Sequence, residues 1–258
     1  MNYYNDNDHF CVETIKGLIS QKIIPDGFVD NRSIADVVPN ELENYTQCHF
    51  FTGVAGWPYA LRMLGWPDEQ PCWTGSCPCQ PFSNAGKGEG FNDARNFWPA
   101  FRWLIAQCRP SVIFGEQVAT ELAIEWITRL HLDLEVLGYT VSVADLPAAS
   151  VGAHHIRQRL WWVAYTESMF SNGSGFYKDG YNELMEKISK FGNCNPTKIW
   201  DGLRWPVPQG KVCTFPDWTS SARIDLLRCA GNAIVPQVAA EFIRAFLETQ
   251  APEAGRGT

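Results

Sequence analysis

Along the chain, short continuous apolar runs alternate with longer stretches whose apolar positions recur at a spacing near 3.6 residues. CHFF (48–51), SVIF (111–114) and LWWVA (160–164) read as buried strands, being brief, apolar throughout and rich in bulky side chains. ALRMLGW (60–66), FWPAFRWLIAQC (97–108) and ELAIEWITRLHLDLEVLG (121–138) carry the helical period. Strands alternating with helices over residues 1–165 predict an α/β domain with a doubly wound, mostly parallel sheet. The pattern then breaks down. Residues 166–228 are rich in Gly, Asn, Ser and Lys with scattered aromatics, and read as a small loop-rich module. Residues 229–258 return to regular structure in one helix, AIVPQVAAEFIRAFLETQ (233–250), and end in a polar tail.

Composition narrows the class only a little. With 258 residues, 45% hydrophobic and 19% charged, the chain fits one sizeable domain with a small addition. No run of about 18 apolar residues occurs, so no membrane span is expected, and a cytoplasmic location is the default expectation. The net charge of −7 argues against a globally basic nucleic-acid binder, although the distribution of charge matters more than its sum. Nine cysteines sit mostly in apolar surroundings and read as reduced core residues. Cys72, Cys77 and Cys79 lie close together but lack the usual zinc spacing, and no metal is expected.

Three segments carry candidate chemistry. In SCPCQPFSNAGKG (76–88), prolines on either side of Cys79-Gln80 fix the backbone, and a glycine-rich loop follows. A rigid cysteine beside a mobile loop suits a nucleophile that meets a large substrate. In SVIFGEQVA (111–119), Glu116 is expected directly after a buried strand, at the carboxyl ends of the strands where functional groups gather. In GAHHIRQRLWWVA (152–164), Arg157 and Arg159 alternate and would share one face of an extended segment, as if to hold an anion or a carbonyl. From the residues alone, each segment also has a structural explanation: a buried turn cysteine, a solvated loop glutamate, a pair of edge charges.

Taken together, the three segments resemble the C5-cytosine DNA methyltransferase family. Pro78-Cys79-Gln80-Pro81-Phe82-Ser83 is similar to its nucleophile motif, and Glu116-Gln117-Val118 to its Glu-Asn-Val. Arg157 and Arg159 match its Gln-x-Arg-x-Arg, with His155 in place of the Gln. Phe51-Thr52-Gly53-Val54-Ala55-Gly56 resembles its cofactor loop, with Ala55 replacing a glycine, and Gly231-Asn232-Ala233-Ile234-Val235-Pro236 resembles its C-terminal Gly-Asn motif. The resemblance implies a Rossmann-like methyltransferase fold, S-adenosylmethionine as cofactor and double-stranded DNA as partner. It places the target-recognition module at 166–228. It implies catalytic roles for Cys79, Glu116, Arg157 and Arg159, and cofactor contacts from Phe51, Gly53, Gly56 and Asn232.

In the usual family order two more strands lie between the cofactor loop and the nucleophile. Here only one short helix separates Gly56 from Cys79. The missing segments resemble the start of the chain: YYNDNDHFCVETIKGLI (3–19) and GFVDNRSIADV (27–37). That resemblance implies that Asp6 meets the ribose hydroxyls and Asp30 the adenine amino group. Two other readings remain: a catalytically weak relative that binds DNA and masks sites, favoured by Ala55, His155 and Gln117, and a nucleotide-binding α/β protein with a structural cysteine.

Overall fold

A computed structural model describes residues 1–78, 96–167, 169 and 231–250. The expected module at 166–228 therefore lies almost wholly outside the described residues, as do Cys79 and the terminal tail.

Seven strands form one sheet in the order β2-β1-β3-β4-β5-β7-β6. They are β1 (Asn2–Asn5), β2 (Gly27–Asp30), β3 (Gln47–Phe50), β4 (Cys72–Gly75), β5 (Val112–Val118), β6 (Thr140–Pro147) and β7 (Gln158–Tyr165). The pairings from β2 across to β5 are parallel, whereas β7 is antiparallel to both β5 and β6. The result is a doubly wound, mostly parallel sheet of Rossmann-like form. The two segments at the start of the chain supply β1 and β2, which extend the sheet beyond β3.

Five helices are described: α1 (His9–Ser20), α2 (Gly56–Leu64), α3 (Trp98–Cys108), α4 (Glu121–Val136) and α5 (Pro236–Thr249). Local chemistry sets their ends. The Asp8 carboxylate accepts the Phe10 and Cys11 N–H groups at the start of α1, and the Thr120 hydroxyl accepts the Ala123 N–H at the start of α4. Gly65, in the left-handed conformation, closes α2. Helices cover both faces of the sheet. α2 and α5 bury Trp57, Leu61, Phe242 and Phe246 on one face with Phe114 and Trp161. α3 and α4 bury Phe101, Leu104, Trp126 and Leu130 on the other with Phe50 and Trp162. The adjacent residues Trp161 and Trp162 thus serve opposite cores, as successive strand positions must. Truncating either to Ala would cost about 3–5 kcal/mol.

Two strands differ from expectation. β5 runs on to Val118, so Glu116 lies inside the strand rather than after it. Antiparallel pairing with β7 continues through Val118↔Arg159 and sustains the extended backbone. β6 was not foreseen, although TVSV (140–143) alternates polar and apolar residues with a strand's period. No described helix is long and apolar enough to cross a membrane.

Candidate active site

From β1 the chain moves outward to β2, and from β3 it moves inward to β4. The direction of winding therefore switches between β1 and β3, and the carboxyl ends of these two strands must diverge and leave a crevice. A cavity of about 320 Å³ opens there, lined by residues at or just after the carboxyl ends of β1, β2, β3, β4 and β5. That volume is at the lower end of small-molecule sites, which run from about 300 to 1,000 Å³.

The Phe51–Gly56 loop forms the floor. Phe51, Gly53 and Ala55 all have positive φ, at 51°, 56° and 65°. Gly53 has no heavy atom within 4 Å of the place a Cβ would occupy, so its backbone faces open space. At Gly56 the reason for glycine is different: a Cβ there would stand 2.5 Å from Ile234 Cγ1. The Phe51–Gly56 loop and the Gly231–Pro236 segment thus press together, and Gly231, Asn232, Ala233 and Ile234 line the same cavity.

Asp6 follows β1 and lines the cavity. Its carboxylate accepts the Gly53 N–H at 2.7 Å and the Asp8 N–H at 2.9 Å. Burial raises its pKa, and the two N–H donors only partly offset this. Asp6 therefore holds the loop in its strained shape while facing the crevice.

Asp30 is arranged differently. Its carboxylate accepts the Tyr3 hydroxyl at 2.7 Å, the Arg32 N–H at 2.9 Å and the Arg32 guanidinium at 2.7 Å. It is absent from the cavity lining, where its neighbours Arg32, Ser33 and Ile34 appear. Burial alone would raise its pKa, but the hydrogen bonds from Arg32 and Tyr3 prevail and hold it below the usual value. The acceptors foreseen for an adenine amino group are thus occupied, and Asp30 shapes the turn that brings Arg32–Ile34 to the site.

Across the crevice, Glu116 on β5 is 7% exposed. Arg159 lies diagonally opposite on β7, and its Nε is 2.7 Å from Glu116 Oε1. Burial pushes the Glu116 carboxyl upward, while Arg159, Arg157 and a hydrogen bond from Ser76 pull it back; the net direction is up. The other member of the expected arginine pair departs from the sequence reading. Arg157 precedes β7 with φ 41°, which breaks the alternation. Its Nη2 donates to the carbonyls of Gly231 at 2.8 Å and Ala233 at 2.5 Å, the residues on either side of Asn232. Arg157 therefore braces the Gly-Asn segment, and Arg159 is the arginine that meets Glu116.

Gln117, buried behind Glu116, donates from Nε2 to the Cys77 carbonyl at 3.4 Å. This ties β5 to the segment that carries Pro78, which lines the cavity, and leads directly into Cys79. The buried Cys77 thiol is pushed far above its ordinary pKa by desolvation, so it stays protonated and unreactive at neutral pH. The sequence reading overlooked Ser76, Asp8 and Asn5, all of which line the cavity. Asp8 carried a helix-cap signal; Ser76 and Asn5 carried none. Among the described residues, no cluster of His, Cys, Asp and Glu is arranged to hold a metal.

Parts of the chain match known proteins. Residues 67–201 match the profile of the C-5 cytosine-specific DNA methylase family. The chain is 34% identical over 93 residues to the type II methyltransferase M.AplI of Arthrospira platensis, a match covering 35% of this chain and 27% of that protein. It is 30% identical over 141 residues to the type II methyltransferase M1.ScrFI of Lactococcus lactis subsp. cremoris, covering 50% of this chain and 36% of the relative. The matches thus span about a third of these relatives or less. Among solved structures, Spodoptera frugiperda DNMT2 superposes over 67% of this chain and 43% of its own, with a TM-score of 0.42 and 19% identity. The Entamoeba histolytica methyltransferase EhMeth covers 63% of this chain and 44% of its own, with a TM-score of 0.40 and 16% identity. Since the family profile spans more than half of its 258 residues, the chain belongs to the C-5 cytosine-specific DNA methylase family.

Proposed function

We propose that this protein methylates C5 of cytosine in double-stranded DNA, with S-adenosylmethionine as methyl donor and Cys79 as a covalent nucleophile. One observation carries the reading. A single crevice brings together the positive-φ Phe51–Gly56 loop, the buried Glu116–Arg159 pair and Pro78, the residue before Cys79.

The residues suit the cofactor. Gly53 leaves its backbone open to a ligand, and Phe51, Gly56 and Asn232 line the same space. Asp6 offers acceptor oxygen for ribose hydroxyls, in keeping with the donor character of those groups. When bound, S-adenosylmethionine supplies an activated methyl group.

On the base side, a thiolate at Cys79 adds to C6 of cytosine and makes C5 nucleophilic. Because C6 lies within the base stack, the nucleotide must leave the duplex first. Glu116 holds N3 and the 4-amino group. The raised pKa of its carboxyl favours the protonated form that donates to N3 as charge builds there. Arg159 holds the carboxyl and reaches the base carbonyl, while Arg157 supports both by bracing the Gly-Asn segment. After transfer, loss of the C5 proton and expulsion of the cysteine release the product. Residues 166–228 are assigned to target recognition.

The test is trapping. With S-adenosylmethionine and a duplex carrying 5-fluorocytosine at the target, the adduct cannot eliminate and should persist as a shifted band under denaturing electrophoresis. Cys79→Ser should lose both the band and radiolabel transfer to DNA. A band that forms equally well with the Cys79 variant would remove the assignment.

A further inference from the structure

Asn5 ends β1, lines the cavity and is 2% exposed. It joins three elements. Its side-chain Nδ2 donates to the Arg32 carbonyl at 2.9 Å and to the Asp30 carbonyl at 3.3 Å, at the end of β2 and in the turn that follows. Its own carbonyl accepts the Thr52 N–H and the Thr52 hydroxyl, each at 3.0 Å, from the loop after β3. The two carbonyls beside β2 fix which way the amide points. An NH2 group has two hydrogens and satisfies both, whereas an amide oxygen in its place would face two acceptors. Oδ1 therefore points away from the turn. Among the described residues no group donates to it, and it is not one of the enclosed atoms left without a partner, so it opens on the cavity that Asn5 lines.

We propose that Asn5 Oδ1 accepts the exocyclic amino group of the adenine of S-adenosylmethionine and so selects adenine at this site. The inference rests on the proposal that S-adenosylmethionine is the methyl donor. Chemistry chooses the amine over the ribose. An amide oxygen only accepts and the adenine amino group only donates, whereas a ribose hydroxyl does both. Asp30, the acid foreseen for the amine, cannot take it, because Tyr3 and Arg32 occupy both of its oxygens. Ile34 lines the same cavity beside Arg32 and Ser33 and offers the base an apolar surface. Asn5 is thus a cofactor-binding residue whose amide hydrogens set the direction of its one acceptor. A purine without the amine strands that buried acceptor, which a site built to bind an N–H tolerates poorly.

The experiment is a calorimetric titration of the whole protein with S-adenosylhomocysteine and with its 6-deamino analogue, in which hydrogen replaces the amino group of the base. The wild type should bind the adenine compound roughly tenfold or more tightly, as expected for one buried hydrogen bond and its stranded acceptor. Asn5→Ala should leave the two ligands nearly equal. Untying the β2 turn weakens both ligands alike, so a merely structural role would leave their ratio unchanged. Equal binding by the wild type, or a preference kept in Asn5→Ala, would overturn the inference. A crystal structure of the wild type with S-adenosylhomocysteine gives a check that does not depend on the variant folding: the amino nitrogen should lie within about 3.2 Å of Asn5 Oδ1. A ribose hydroxyl in that place would overturn the adenine assignment. Binding of neither ligand to the wild type would overturn the cofactor reading itself, and this inference with it.

Discussion

The two sides of the crevice treat buried carboxylates in opposite ways. Beside β1 and β2, Asp30 takes its hydrogen bonds from Tyr3 and Arg32 and is held ionised. Beside β5 and β7, Glu116 faces an arginine as well, yet its pKa is displaced upward. The difference lies in what accompanies the charge. Asp30 gains a backbone N–H and a hydroxyl in addition to a guanidinium that is 42% exposed, whereas for Glu116 desolvation outweighs the pull of its partners. Asp6 is intermediate, with two backbone N–H donors that fall short of offsetting its burial. A carboxylate fully satisfied by the protein builds structure; one left short of donors is available to a ligand or a proton.

Removing Arg159 should break this contrast most severely. Arg159→Ala leaves Glu116 buried without its ion pair, and should cost about 3–5 kcal/mol at neutral pH. The sign with pH follows from the direction of the shift. A carboxyl whose folded pKa lies above its unfolded value contributes fully below the unfolded value and loses that contribution as pH rises through the folded one. The variant should therefore recover much of its stability in mild acid, and denaturant melts across pH will show this. A stability loss independent of pH would mean that Arg159 acts through packing alone.

The two aspartates sharpen the comparison. Asp6→Ala should weaken S-adenosylmethionine binding tenfold or more, the equivalent of losing a charge-assisted hydrogen bond at ~1.5–3 kcal/mol, by calorimetric titration. Asp30→Ala should instead lose about 1–3 kcal/mol of stability, since it strands Tyr3 and Arg32, with a smaller effect on affinity. Because the folded pKa of Asp30 is lowered, its contribution is present above the unfolded value and lost as pH falls through the folded one, so mutant and wild type should converge in acid. Equal affinity losses in the two variants would contradict the structural role given to Asp30.

The smallest effect belongs to Ala55, at φ 65° in the loop that Asp6 restrains. The left-handed conformation costs an L-residue about 1–2 kcal/mol, and glycine's extra chain entropy returns about 0.5–1 kcal/mol of that. Ala55→Gly should thus raise stability by up to about 1 kcal/mol in thermal melts. A loss would show that the methyl group's packing beside Tyr4 and Ile15 outweighs the strain.

Much of this architecture was legible in the residues. Apolar runs marked β3, β5 and β7, because burial on both faces of a mostly parallel sheet demands uninterrupted apolar sequence, and helical patterns marked α2 to α5, while α1 was recognisable only by resemblance. Glu116 and Arg159 stood out by residue type and spacing, whereas the loop around Gly53 was recognisable only by resemblance. β1 and β2 were recognisable only by resemblance, since NYYN and GFVD are short and half polar. What tertiary structure alone decided was which polar group meets which. Arg157 and Arg159 are two residues apart and chemically identical, yet a positive φ before β7 sends one to the Gly231 and Ala233 carbonyls and leaves the other on Glu116. Likewise, Asp6 follows one short strand and Asp30 ends another, and only the position of Arg32 separates a saturated carboxylate from one that faces the crevice. Hydrogen-bond partners far apart in sequence depend on distances of a few tenths of an ångström and on desolvation, and neither is written in local pattern.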